Sequence, residues 1–358
     1  MPHEQGNGRA TTGSGNTMTD RPCQRLRNVV APAAAGPLML GRAGGLAIRL
    51  AIRLVIGLVF GLAVGVGVGP GFAPRAALAQ ERFSLYVPSP QSVAEAMAKM
   101  AGVGKSDVVV DLGSGDGRIV TTAARLHGAR GFGVEINPEL VDLASALAKK
   151  SGVGDRVTFM QQNVFDADLR KATVVNLYLF PELMRMLRPK LLNELQPGAR
   201  IVSHDFSFGT WEPDEQITFF APDKFGGAGA DAKISLWIVP ARIQGYWNWS
   251  LPVGGQVMHY ASIVEQRFQV GEGIVRVGNR RGLFTDLKLR GDQVSFGLRI
   301  TVDPGVLVMH EFRGTVRSDA IEGTVRVTPD GGKTAELPWR ATRSGGTTYF
   351  QPTGLAAK

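Results

Sequence analysis

The stretch VVVDLGSGDGRIV, Val108 to Val120, followed by GFGVEIN at Gly131 to Asn137, constrains this chain more than any other. Three β-branched residues in a row (Val108, Val109, Val110) predict a strand buried on both faces, as in a parallel sheet. Gly113-Ser114-Gly115-Asp116-Gly117 then lets the backbone turn tightly and approach a ligand, because glycine reaches left-handed conformations without steric penalty. A helix is expected from about Arg118, and a second strand closes on the acid Glu135. Together they predict a nucleotide-binding edge at the carboxyl ends of neighbouring strands.

The spacing narrows the ligand. A dinucleotide site follows G-x-G-x-x-G, whose third small residue lets the helix pack against the strand; here the third glycine comes one residue early and Arg118 takes the expected place. Asp111, at the strand tip ahead of the glycines, suits an ammonium group rather than a pyrophosphate. Both departures point from NAD to S-adenosylmethionine, with Asp111, Gly113, Ser114, Gly115 and Gly117 around its amino-acid end. Glu135, with Ile136 beside it, is placed to accept the ribose hydroxyls. The third strand is read as RVTFMQQNVF, Arg156 to Phe165. Its Asn163 offers an amide donor and acceptor to an adenine edge, and Val164 and Phe165 offer apolar cover for the ring.

In order and spacing, DLGSGDGRIV, GVEINPEL and QQNVF resemble the successive motifs of the class I, seven-strand S-adenosylmethionine-dependent methyltransferases. The stretch VVNLYLFPELMRMLRPKLLNELQPGARIVSHDFSF, Val174 to Phe208, and the upstream YVPSPQSVAEAMAKMAGV, Tyr86 to Val103, resemble a narrower group. That group is the non-SET lysine methyltransferases of the histone-core and ATP synthase c-subunit type, with their bacterial methyltransferase-domain relatives. The resemblance covers about residues 84 to 215. It implies an α/β fold, a Rossmann-like doubly wound sheet of seven strands, with Asn176 at the end of the fourth strand facing the methyl-transfer site and Tyr178 two residues on. One departure stands out: the (N/D)-P-P-(Y/F) motif of amino-group methyltransferases is here Asn176-Leu177-Tyr178-Leu179, without the prolines, so the class is carried and the amine acceptor is not.

A sulfonium methyl is already electrophilic, so the protein has chiefly to hold a nucleophile in line, exclude water and receive an amine without its proton. A lysine ε-amine, with a pKa of about 10.4, loses that proton more readily in a desolvated pocket. Asn176 is expected to orient the lone pair, Asp205 in Ser203-His204-Asp205-Phe206 to accept the proton with His204 as second choice, and Tyr178 to form a wall. The other histidines (His3, His127, His259, His310) lack ligand spacing, and no metal is expected. Trp211 is read as core rather than channel lining.

The formal net charge of +9 looks like a nucleic-acid signal until it is located: residues 1–79 hold eight Arg and two acids, leaving +3 for the remainder. No nucleic-acid partner is expected from it. Residues 1–38 read as disordered or as an over-long start, with Met39 an alternative initiator. In 39–79, Arg42, Arg49 and Arg53 precede an apolar run to Gly69, and Ala77-Leu78-Ala79 follows: the order of a signal peptide, or of a membrane anchor through 46–69. An exported, periplasmic or membrane-anchored protein is expected from this order, against the cytosolic origin of the donor. Cys23, the single cysteine, lies in the leader.

After Lys233 the pattern changes. KISLWIVPARI closes the α/β sheet, behind a loop at Gly226-Gly227-Ala228-Gly229-Ala230. From Gly245 the period is two, as in Val294, Phe296, Leu298, Ile300 and Val302, with Gly291-Asp292 as a turn before them. Gly314-Thr315-Val316-Arg317 and Gly323-Thr324-Val325-Arg326 flank Ser318-Asp319-Ala320 as the two strands of a hairpin. Seven or eight short strands predict an all-β antiparallel barrel or sandwich, filled by a packed core in preference to a lipocalin-like pocket. The expected organisation is therefore a methyltransferase domain at 84–241, a β-barrel-like domain at 242–348 and a tail at 349–358. The expected function is methyl transfer from S-adenosyl-L-methionine to an amine, foremost a protein lysine. The alternatives are a small-molecule acceptor, or a non-catalytic binding or scaffold protein. The sequence does not fix the oligomeric state.

Overall fold

A computed structural model describes residues 86–302 and 305–345. The readings of 1–38 and 39–79, Met39, Cys23 and the tail at 349–358 lie outside the described residues. Among the described residues no helix is long and apolar enough to cross a membrane.

The Val108–Val110 run forms a buried strand as its β-branched composition predicts. In chain order the α/β part contains α1 (Gln91–Met100), β1 (Val108–Leu112), α2 (Arg118–His127), β2 (Arg130–Glu135), α3 (Pro138–Lys150), β3 (Val157–Gln161), β4 (Val174–Leu177), α4 (Pro181–Glu194), β5 (Arg200–His204), β6 (Glu215–Ala221) and β7 (Ala230–Ile238). The seven strands lie in the order β3-β2-β1-β4-β5-β7-β6. β1 to β5 are parallel, and β7 enters antiparallel between β5 and β6. The order reverses at β1/β4, so the ends of β1, β2 and β4 open on one crevice. β3 stops at Gln161, and Asn163 to Phe165 lie in the turn beyond it, shorter than the expected strand because Asn163 Oδ1 accepts from Phe165 N (3.0 Å) and curls the chain. β6 lies in a stretch for which the sequence predicts no element, and the short 3₁₀ turn Lys224–Gly227 overlaps the loop expected at Gly226–Ala230.

Helices cover both faces. On one side α1 and α2 bury Val93, Met97, Ile119 and Ala123 against β1, β4 and β5; on the other α4 buries Met184, Leu187 and Leu191. Below the sheet, Arg200 pairs with Asp107, whose carboxylate also accepts from Thr173 Oγ1 (2.7 Å) and Gly104 N (2.8 Å), tying β1, β4 and β5 together.

The remaining strands are β8 (Gly245–Val253), β9 (Gln256–Arg267), β10 (Val270–Val277), β11 (Arg280–Arg290), β12 (Gln293–Val302), β13 (Val306–Arg317), β14 (Ala320–Pro329) and β15 (Ala335–Ser344). Each pairs with the next, and β15 pairs back to β8, closing an antiparallel barrel of eight strands. Closure leaves no free sheet edge. The alternation seen in the sequence points Val294, Phe296, Leu298, Ile300 and Val302 inward, where they meet Trp249, Tyr260, Phe312 and Trp339. These side chains fill the barrel, leaving a void of about 10 Å³. Gly314 and Gly323 face each other in the β13/β14 hairpin, as the duplicated motif predicts.

Sheet and barrel lie within one compact unit, Gln80–Lys358. Gly291, in the β11/β12 turn, packs on Gly198, two residues before β5, and Ala241 N donates to Gly291 O (2.8 Å). Trp211 is fully buried, stacks on Phe268 (5.3 Å) and donates to Gln269 Oε1 (2.8 Å), so it is core, as read. The Gly198 contact seats the barrel at the end of β5 opposite to the crevice.

Candidate active site

A cavity of about 270 Å³ opens at the carboxyl ends of β1, β2 and β4. Its lining includes eight of the nine expected donor-site residues: Asp111, Gly113, Ser114, Gly115, Glu135, Ile136, Asn163 and Val164. Gly117 is the exception. It caps α2 in the left-handed region (φ +75°), and a Cβ there would lie 2.4 Å from the Phe159 ring and 2.8 Å from Ala144 Cβ. Its part is the close packing of α2 on the sheet and α3, so the early third glycine serves the structural job of the dinucleotide fingerprint one position sooner.

The turn is set by its backbone. Gly113 N and Ser114 N both donate to Val134 O (2.9 and 3.0 Å), and Gly117 N donates to Ser114 O (2.8 Å). Glu135 holds the facing edge: its carboxylate accepts from Gly115 N (3.0 Å), Ile136 N (2.8 Å) and Asn137 N (3.0 Å). Asn163 spends its carbonyl on Phe165 N, which leaves its NH₂ group to serve a ligand. Burial first, then the negative charges of Asp116 and Glu135, push the Asp111 carboxyl well above the usual carboxylate range. Three acids around one turn repel each other, and a cationic ligand relieves that repulsion. The site therefore fits the charge of S-adenosylmethionine.

The acceptor-side residues separate. Tyr178 lines the cavity beside Leu179 and Leu183. Burial, and then Asp205, raise the Tyr178 phenol above its ordinary pKa, so it remains neutral. Asn176 and Asp205 are not in the cavity lining. Asn176 is buried within β4, in register with Asp111. Asp205 is held in the left-handed region (φ +59°) by Lys224 Nζ (2.7 Å) and Lys233 N (3.0 Å), both of which donate to its carboxylate. Burial alone would raise its pKa; these hydrogen bonds outweigh burial and lower it, which makes Asp205 a poor proton acceptor. His204 is fully buried and absent from the lining.

The sequence reading missed the strap Tyr86-Val87-Pro88-Ser89, which lines the cavity together with Asp116, Ile119, Asn137, Leu140 and Gln162. Two prolines, Pro88 and Pro90, were the available signal, since they force an extended approach to α1. Among the described residues no group of His, Cys, Asp and Glu is arranged to hold a metal.

A seven-strand sheet in this order, with a glycine turn, an acid and an amide opening on one crevice, defines a class I S-adenosylmethionine-dependent methyltransferase. Residues 111–215 match the ANTKMT methyltransferase domain family. A protein-lysine N-methyltransferase of Saccharolobus islandicus is 44% identical over 133 residues, which are 37% of this chain and 83% of that protein. The ATP synthase c-subunit lysine N-methyltransferase of Xenopus laevis is 35% identical over 129 residues, 36% of this chain and 56% of that one. Among solved structures, an RNA methyltransferase of Salinibacter ruber in complex with S-adenosyl-L-homocysteine is 47% identical, covering 44% of this chain and 96% of that chain, with a TM-score of 0.40. The chain belongs to the family of the Saccharolobus islandicus protein-lysine N-methyltransferase. Its α/β part carries the match; it spans about half of the frog protein.

Proposed function

We propose that this enzyme methylates the ε-amine of a lysine in a protein. The observation that carries the reading is an uncharged cavity wall, Tyr178, Leu179 and Leu183, with a cluster of rings behind Tyr178. Tyr178 stacks on His204 (4.1 Å) and lies 5.9 Å from Phe206, which lies 5.8 Å from the exposed Phe180. Such a wall suits a lysine, whose aliphatic stem packs on apolar groups. Inside, the walls Tyr178, Leu179 and Leu183 carry no charge, and desolvation there favours the neutral amine. The donor supplies an electrophilic methyl group; Asp111, Glu135 and the glycine turn hold it, and the apolar walls exclude water. The names of the relatives support a lysine as acceptor.

The test is transfer of labelled methyl from the donor to three separate fractions: protein, RNA and small metabolites. Methyl-lysine in the protein fraction is expected, lost in D111A and E135A. Label confined to RNA or metabolites, or none despite donor binding, overturns the reading. The order of the leader, basic then apolar then Ala-Leu-Ala, supports an exported or membrane-tethered enzyme. A reporter fused after residue 80 tests this, and a cytoplasmic signal overturns it.

A further inference from the structure

The strap Tyr86–Pro90 is pinned at two places. On the donor side, Arg118 Nη1 donates to Ser89 O (2.9 Å) while its guanidinium pairs with Asp116 of the glycine turn. The Tyr86 ring lies over Gly115, so close that a Cβ there would sit 2.4 Å from it. On the acceptor side, Ser89 Oγ and His204 Nδ1 are 3.1 Å apart in a buried hydrogen bond. The same imidazole carries Tyr178 on its flat face.

We propose that His204 is a positioning residue that couples the two halves of the site: its edge holds the strap on the donor, and its face presents Tyr178 to the acceptor. The inference rests on the methyltransferase reading of the cavity. Full burial keeps His204 from touching either substrate, so it acts through Ser89 and Tyr178. Its Nε2 lies 3.4 Å from Asp205 Oδ2, and a carboxylate there favours the tautomer with hydrogen on Nε2. Nδ1 is then left to accept from the Ser89 hydroxyl. Burial also lowers the imidazole pKa to about 4, so the ring stays neutral under ordinary conditions. Anchored by Lys224, Asp205 acts on the ring through its charge alone, since Nε2 makes no hydrogen bond to it.

Two substitutions separate the roles. His204→Phe keeps a flat face for Tyr178 and removes the bond to Ser89; His204→Asn keeps a polar atom near Nδ1 and removes the face. The donor side is read by calorimetry with S-adenosylhomocysteine. The acceptor side is read as methyl incorporation into the protein fraction that the wild type labels. H204F and Ser89→Ala are each expected to weaken S-adenosylhomocysteine about 2- to 12-fold, the usual worth of one neutral hydrogen bond, and the double variant no further than either alone. H204N is expected to bind it within about twofold of the wild type while incorporation falls about tenfold or more. Equal effects of H204F and H204N on both readouts, additive effects of S89A and H204F, or no effect of either His204 variant overturn the proposal. If H204F does not melt cooperatively, S89A against H204N carries the same contrast. Failure of the wild type itself to bind S-adenosylhomocysteine overturns the methyltransferase reading instead.

Discussion

Two alanines, two residues apart in the glycine turn, should fail in different ways. Both Gly115 (φ +52°) and Gly117 (φ +75°) occupy the left-handed region, where a side chain costs about 1–2 kcal/mol. What the new methyl meets then decides the outcome. At Gly117 it would strike the Phe159 ring at 2.4 Å and Ala144 Cβ at 2.8 Å, groups fixed between α3 and the sheet, adding about 1–3 kcal/mol of overpacking. Gly117→Ala should therefore lose about 2–5 kcal/mol of stability. At Gly115 it would strike Tyr86, which is 45% exposed and free to swing outward. Gly115→Ala should lose about the backbone cost alone, but Tyr86 then leaves its place over the turn, where it lines the cavity. Losing that aromatic cover is worth about 1.5 kcal/mol or more, so the donor should bind at least about tenfold more weakly. Urea unfolding and calorimetry with S-adenosylhomocysteine measure both. A G115A variant that binds like the wild type, or a G117A variant no less stable than G115A, refutes the reasoning.

Asp111→Asn should trade function for stability. Because burial, Asp116 and Glu135 raise the folded-state pKa of Asp111, its contribution is full below the unfolded value of 3.8 and is lost as pH rises through the folded pKa. D111N should therefore unfold at higher denaturant than the donor-free wild type at neutral pH while binding the donor poorly; a less stable D111N contradicts this. Burial lowers His310 in the barrel core from 6.5 to about 4, so the unfolded chain takes up a proton first and stability falls as pH drops through that window. His310→Gln should flatten the fall between pH 6.5 and 4, and an unchanged slope counts against it. Trp339 is 3% exposed, with Phe312 at 4.8 Å and Phe296 at 5.6 Å; Trp339→Ala should cost about 3–5 kcal/mol by denaturant unfolding. A loss under about 1 kcal/mol would mean that the barrel collapses around the gap.

Local patterns made much of this fold legible. The Val108–Val110 run, the glycine turn and Glu135 fall within one β-α-β unit, so their spacing carries the geometry of β1, α2 and β2. The strict alternation from Val294 to Val302 likewise reports the inside of the barrel, because a strand has one period and one buried face. The less legible residues depend on distant partners. β6, EQITFFA, lacks alternation because it is an edge strand with mostly exposed residues, and it is defined only by pairing with β7. Asp205 resembles a strand-end base in sequence; only Lys224, 19 residues later, commits it to an ion pair. The strap reaches His204 across 115 residues, a distance that no motif encodes.

The seating of Gly291 against Gly198 gives the molecule two poles. The barrel stands behind the crevice and contributes no residue to its lining. Substitutions on the barrel's outer surface can then change what it meets without reshaping the door to the crevice.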